Sequence, residues 1–198
     1  ENRPSVSYEL IRPVVSFGSS RMVTTAFDLD IENNAADKAY HQLLLPQFLE
    51  IYRETNFRLT KAFPGIDDML AEIEQLNLPW GIVTNKPKAF TDPLLKVAGY
   101  FNRTNCVVSG DTTAYSKPDP TPLNYACDLL NVTAKNCVYI GDAATDVQAG
   151  KAAGMATIIA AFGYIPDDVH VNSWQADHIA HSPNEILTWI KQWSKQAK

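Results

Sequence analysis

Residues 138–155, "VYIGDAATDVQAGKAAGM", decide how this chain is to be read. An apolar run beginning at Cys137 stops at Gly141, Asp142 follows at once, and Asp146 falls four residues later in the first turn of a helical stretch over about 145–153. A short β-branched run, then a polar turn, then a helix is one unit of an alternating pattern. The same unit recurs. Apolar runs appear at "WGIVT" (80–84), "CVVS" (106–109), "CVYIG" (137–141), "ATIIAA" (156–161) and "HIA" (178–180), with helical stretches at about 87–98, 119–130, 145–153 and 183–195. Continuous apolar strands separated by helices predict a parallel sheet covered on both faces. The fold class expected is α/β, a doubly wound parallel sheet, with a small helical domain in front of it.

That helical domain occupies residues 1–62 and the α/β domain 63–198, with the boundary near Phe63, where "FPGI" (63–66) breaks the pattern. Residues 5–62 read as helical. In "LLLPQFLEIYRETNFRLT" the positions Leu44, Phe48, Ile51 and Tyr52, then Leu59, fall on one helical face, with Glu50, Arg53 and Glu54 off it. "IDDMLAEIEQLN" follows as an amphipathic helix with Asp67 and Asp68 in its first turn.

Composition narrows the function. With 198 residues, 45% hydrophobic and 20% charged, the chain is an ordinary globular protein. A net charge of -5 without a Lys/Arg cluster argues against a nucleic-acid surface. It also means that an anionic substrate needs local cations or a metal. Cys106, Cys127 and Cys137 lack C-x-x-C spacing and read as reduced thiols, and no apolar run approaches the length of a membrane span. The expected location is the cytoplasm, with neither membrane nor nucleic acid as partner. His41, His170, His178 and His181 show no metal-ligand spacing.

In doubly wound sheets ligands bind beyond the carboxyl ends of the strands. Thr84 and Asn85 fall at the end of the first strand, Lys117 in the loop after the second, and Asp142 and Asp146 after the third. One hydroxyl, one ammonium and two carboxylates at one edge suit phosphate-ester cleavage. Thr84 and backbone N–H groups would hydrogen-bond a phosphoryl oxygen, aided by a helix N-terminus. Lys117 would offset the charge of the transferring group. Asp142 would be an oxygen ligand for Mg²⁺, and Asp146 would orient a metal-bound water or Lys117. Singly, each residue has a plainer reading: Thr84 as a strand-end cap, Lys117 as a solvated loop lysine, Asp142 as an N-cap. Their joint order and placement favour the site.

"VTNKP" (83–87), "SKPDPTPL" (116–123) and "YIGDAATDVQAGKAAGM" (139–155) resemble three sequence motifs of the haloacid dehalogenase (HAD) superfamily, most of whose members are Mg²⁺-dependent phosphatases. The resemblance spans about residues 8–190. Within the superfamily, "RPVVSFGSSRMVTTAF" and "PWGIVTNKP" resemble phosphoglycolate phosphatases and N-acetylmuramic acid 6-phosphate phosphatases. It implies a Rossmann-like core with a helical cap, hydrolysis of a small phosphomonoester through an aspartyl-phosphate, and a monomeric or homodimeric protein. It makes Thr84 the phosphate-binding hydroxyl, with Asn85 beside it, Lys117 the phosphate-bridging lysine, Asp142 the metal ligand and Asp146 its supporting acid. Residues around "RPVVSFGSS" face the substrate in such caps. Arg12, Ser16 and Ser19 are therefore expected to contact its organic part, Arg12 through a substrate carboxylate. A helix-surface charge and a capping turn are the other reading of this stretch.

The resemblance also calls for a D-x-D-G-T nucleophile motif at the end of an opening strand. The D-x-D of this chain, Asp28 and Asp30, is followed by "IEN", is preceded by "GSSRMVTTAF" with its helical spacing, and is separated from Pro64 by only 33 residues. We therefore expect "FDLDIENN" to be a helix end and polar loop. The expectation that follows is a chain lacking the segment with the nucleophile and its strand, with two unpaired sheet edges and no turnover by itself. A non-catalytic HAD-like protein that binds ligand or partner without turnover is the alternative. A receiver domain shares the Thr/Lys/Asp set but not "GDAATDVQAGKAAGM".

Overall fold

The computed structural model describes residues 4–55 and 57–196; residues 1–3, 56, 197 and 198, which the expected domain ranges include, lie outside the described residues. The chain forms two compact units: one runs up to Leu59 and takes in Tyr164–Val169, the other comprises Thr60–Gly163 and the chain from His170 onward.

The first unit is helical. Helix α1 (Tyr8–Ile11) leads into a 3₁₀ turn (Arg12–Phe17), followed by α2 (Ser19–Phe27) and α3 (Ala35–Thr55). Ser7 caps α1 by accepting the Leu10 N–H. Helix α2 ends on Asp28 in the left-handed region, φ 54°. Asp30 accepts both the backbone N–H and the side-chain amide of Asn33, and Asn34 caps α3 through the Ala36 N–H at 3.0 Å. "FDLDIENN" is thus a helix terminus and a capped loop, with helix rather than strand before Asp28.

Burial in α3 is confined to His41 and Leu44, against α2, with Ser20 Oγ 3.0 Å from His41 Nε2. Farther along, the apolar face lies open: Ile51 is 63% and Leu59 90% exposed. The reason is length. Nine residues of α2 span about 14 Å and cannot cover the roughly 32 Å of a 21-residue helix. Phe48 and Tyr52 instead stack on each other, centroids 5.9 Å apart.

The second unit alternates strand and helix in the expected order: α4 (Ile66–Gln75), β1 (Ile82–Val83), α5 (Lys88–Val97), β2 (Val107–Val108), α6 (Thr121–Leu130), β3 (Val138–Gly141), α7 (Ala144–Ala152), β4 (Ala156–Ala160), β5 (His178–Ala180) and α8 (Pro183–Gln196). All pairings are parallel. Hydrogen bonds group the strands as β1–β2 and as β3–β4–β5. Among the described residues no ladder joins β1 to β3. The Val83 carbonyl on β1 accepts the Tyr139 hydroxyl of β3 at 3.0 Å instead, so a side chain satisfies what a strand partner would otherwise bond.

Helices cover both faces of the larger sheet. Ile158 and Ala160 of β4 pack with Met69 and Ile73 of α4 and Ile186, Leu187 and Ile190 of α8. Thr157, which alternation turns to the opposite face, meets α7. The motif "AGKAAGM" owes its two glycines to this packing. A Cβ on Gly150 would sit 2.6 Å from the Thr157 methyl, so glycine lets α7 lie against the strands. Gly154, at φ 76°, turns the chain out of α7 while the Met155 N–H returns to the Gly150 carbonyl. Cys106, Val108 and Ala126 form a second cluster between β2 and α6. The three cysteines are free; burial pushes the Cys106 thiol up to about 11 and the Cys127 thiol up to about 12.

Candidate active site

The strands stop where the polar residues begin: Thr84 and Asn85 follow β1 and Asp142 follows β3, while Lys117 comes from the loop after β2 and Asp146 from the first turn of α7. Lys117 is at the centre. Its ammonium donates to Asp146 Oδ1 at 2.7 Å, to the Tyr139 hydroxyl at 2.8 Å and to the Val83 carbonyl at 3.2 Å. The Lys117 and Asp146 side chains are each only 9% exposed. Lys117 is therefore no solvated loop lysine. A charge this far from water is retained only when paired and hydrogen-bonded, and here all three donors are engaged.

Asp146 has two tasks. One carboxylate oxygen takes the Lys117 ammonium; the other accepts the backbone N–H groups of Asp142 at 3.1 Å and Ala143 at 3.0 Å. It thus closes the start of α7 from its third position, which complements the helix dipole. The N-cap of that helix is Ala143, so the plainer reading of Asp142 as N-cap does not hold. The Asp142 side chain lies against Gly163, just beyond β4, and a Cβ there would overlap the Asp142 carboxylate.

Asn85 grips the backbone of Lys117 at two points. Its amide donates to the Lys117 carbonyl at 2.9 Å and its oxygen accepts the Lys117 N–H at 3.0 Å. This makes Asn85 a holder of the lysine loop. Thr84 Oγ1 accepts the Lys86 N–H at 3.1 Å, so the strand-end cap is real, and a hydroxyl accepting one bond keeps its hydrogen for donation. The N-terminus of α5, expected to add positive potential for phosphate, is already met by a carboxylate: Asp111 accepts the Lys88 N–H at 2.8 Å.

Two residues of this site escaped the sequence reading. Tyr139 bridges Lys117 and Val83; burial, with the Asp146 charge adding to it, raises its hydroxyl far above the usual phenol range and keeps it a neutral donor. A tyrosine inside an apolar strand run was the available signal, because a buried phenol needs a partner. Gly163 carried no signal at all.

The other three predicted residues belong to the first unit. Ser16 Oγ donates to the Tyr164 carbonyl at 3.3 Å, and the Arg12 guanidinium lies over the Tyr164 ring, 5.5 Å from its centroid. Ser19 opens α2 and is half-buried. In the same unit Asp28 ends α2, and the bonds from Asn33 hold the Asp30 carboxyl below its ordinary value. A general acid needs the opposite shift.

Among the described residues no three His, Cys, Asp or Glu side chains gather as a metal cluster. Mg²⁺ asks for less, one or two carboxylates with water and substrate oxygens completing the shell. An aspartate at a strand end, given room by a glycine, fits that requirement.

The sequence profile of the family described as Haloacid dehalogenase-like hydrolase matches residues 6–160. The chain belongs to this family. Among haloacid dehalogenase-like relatives, an N-acetylmuramic acid 6-phosphate phosphatase of Pseudomonas putida is 37% identical over 183 residues, 92% of this chain and 80% of the relative. A phosphoglycolate phosphatase of Xanthomonas campestris is 38% identical over 183 residues, with the same two coverages of 92% and 80%. The fold agrees. The crystal structure of a predicted phosphoglycolate phosphatase from Haemophilus somnus superposes with a TM-score of 0.79 at 23% identity, covering 94% of this chain and 84% of that one. A haloacid dehalogenase-superfamily hydrolase from Geobacter sulfurreducens gives 0.70 at 18% identity, covering 95% and 81%.

Proposed function

We propose that the chain supplies the phosphate- and metal-binding residues of a Mg²⁺-dependent phosphatase that acts on a small phosphomonoester in the cytoplasm through an aspartyl-phosphate, the nucleophile being an aspartate other than Asp28 or Asp30. One observation carries this reading: a lysine nine-tenths buried, tied to Asp146 beside Thr84 and Asp142 at the strand ends. Phosphoryl transfer draws on positioning and electrostatics, and a fixed ammonium in a low-dielectric pocket supplies both.

The roles follow from the bonds. Thr84 donates its hydroxyl to a phosphoryl oxygen. Lys117 gives up its longest bond, the one to the Val83 carbonyl, and turns that N–H to the phosphate. Tyr139 keeps Val83 satisfied during the exchange, so no buried carbonyl is orphaned. Asp146 holds the ammonium in place throughout. Asp142 would hold Mg²⁺, which when bound neutralises charge on the phosphoryl oxygens.

The helical unit reads as a cap that selects the substrate. The compounds for which the two relatives are named, N-acetylmuramic acid 6-phosphate and phosphoglycolate, each join a phosphomonoester to a carboxylate. Arg12 suits the carboxylate, with Ser16 and Ser19 as neighbouring polar contacts.

The test is a panel of phosphoglycolate, N-acetylmuramic acid 6-phosphate and p-nitrophenyl phosphate with Mg²⁺, followed both by phosphate release and by calorimetric binding. Lys117→Ala and Asp142→Asn are expected to lower phosphoester affinity at least tenfold, whereas Asp28→Asn changes nothing. Unaltered binding in the first two variants would sink the site. Tight binding without phosphate release would support the second reading, a haloacid dehalogenase-like protein that holds its ligand without turnover; the engagement of Asp28 and Asp30 in helix and loop capping favours that outcome.

A further inference from the structure

Tyr164 lies at the start of a six-residue segment, Tyr164–Val169, that groups with the helical unit although more than a hundred residues separate it from α3 in sequence. It touches the 3₁₀ turn Arg12–Phe17 there: its carbonyl accepts Ser16 Oγ at 3.3 Å, and its ring lies under the Arg12 guanidinium. No residue of that turn is buried. The turn packs on α1 and α2, and Tyr164 adds to it a contact from a segment distant in sequence.

From this we infer that Tyr164 is a specificity-determining residue: it positions Arg12 to receive the carboxylate of a phosphorylated carboxylic acid. The inference rests on the role given to Arg12 under the proposed function. A guanidinium meets an aromatic ring with its face and binds a carboxylate in its plane, so the two contacts are compatible and the ring sets the orientation of the fork. The Ser16 bond fixes the backbone of Tyr164 and thereby the height of the ring. Arginine provides charge for many anions, but an oriented arginine discriminates for planar, two-oxygen groups. The preference for a carboxylate-bearing substrate is then built by two segments distant in sequence.

Calorimetric titration of the full chain in Mg²⁺ with phosphoglycolate and with ethyl phosphate, which lacks the carboxylate, tests this. The wild-type chain binds phosphoglycolate more tightly, and Arg12→Ala removes the difference. Tyr164→Leu weakens phosphoglycolate about five- to tenfold, the scale of a lost cation–π contact, and leaves ethyl phosphate unchanged. Tyr164→Phe restores the wild-type values, because it keeps the ring. Should the leucine variant not fold, Tyr164→Gln removes the π face at similar size and is read in the same way. If Arg12→Ala abolishes the preference while Tyr164→Leu does not, or if Tyr164→Leu weakens both ligands equally, the inference about Tyr164 falls and the reading of Arg12 stands. If the wild type shows no preference, or Arg12→Ala leaves it intact, the reading of Arg12 falls and the inference with it.

Discussion

Lys117 and Asp146 show at the scale of single residues why a buried ion pair is kept. Replacing both by apolar groups would cost little, but removing one partner strands a charge. Asp146→Ala leaves the Lys117 ammonium without its carboxylate and frees the Asp142 and Ala143 N–H groups at the start of α7. We expect stability to fall by about 3–5 kcal/mol, read as a lower midpoint in urea unfolding. Glu72→Ala, which removes an exposed carboxylate 2.6 Å from Lys191, should cost under about 1 kcal/mol. Equal losses in the two variants would refute the special standing of the buried pair. That Lys117 and Asp146 come to one edge of the sheet was legible from their order along the chain. That Tyr139 completes the trio was not, because a strand tyrosine looks like any other apolar residue until its hydroxyl is seen to point at a carbonyl.

Among the elements, α4 is tied to the chain ahead of β2 through Arg103. Its Nε and Nη2 each donate to the Glu74 carboxylate at 3.1 Å, and its guanidinium lies over Trp80 and Tyr100. Tyr100 in turn donates to Asp67 at 2.7 Å; burial, then that carboxylate, pushes its hydroxyl up to about 12. The hydrogen bond from Arg103 holds Glu74 below its ordinary value of 4.5. A carboxylate with a depressed folded-state value contributes stability above its unfolded value and loses it as the pH falls through the folded one. The window therefore lies in acid, below 4.5. Glu74→Gln should be less stable than wild type in urea at pH 7, and the gap should close near pH 3. A gap independent of pH would show that the bond geometry matters and the charge does not. The strands and helices themselves were readable because β-branched runs and helical spacing are local signals. Burial along α3 was not readable for an equally physical reason: periodicity marks an apolar face but cannot say whether a neighbour is long enough to cover it.

Across the whole molecule the two units differ in what they bury. The clusters around Ile158, Ile186 and Val108 all belong to the second unit, while the buried apolar side chains of the helical segment are Val23 and Leu44. Opening free energy tracks buried apolar contact. In native-state hydrogen exchange, peptides from α2 and α3 should therefore exchange well before those from β3 and β4. Simultaneous exchange of both sets would contradict this. No helix among the described residues is long and apolar enough to cross a membrane.

The alternation of strand and helix, the parallel sheet, and the clustering of Thr84, Asn85, Lys117, Asp142 and Asp146 were determined by the sequence itself. Each depends on a residue's neighbours along the chain and on the rule that strand ends share one edge. Tertiary structure alone decided three things. It showed that the Lys117 ammonium is enclosed by Tyr139 and the Val83 carbonyl, that Gly163 makes room for Asp142, and that Tyr164 belongs with Arg12 and Ser16. These contacts join residues between 21 and 152 positions apart. No periodicity, cap or turn signal reaches that far, because what brings such residues together is the packing of the finished elements.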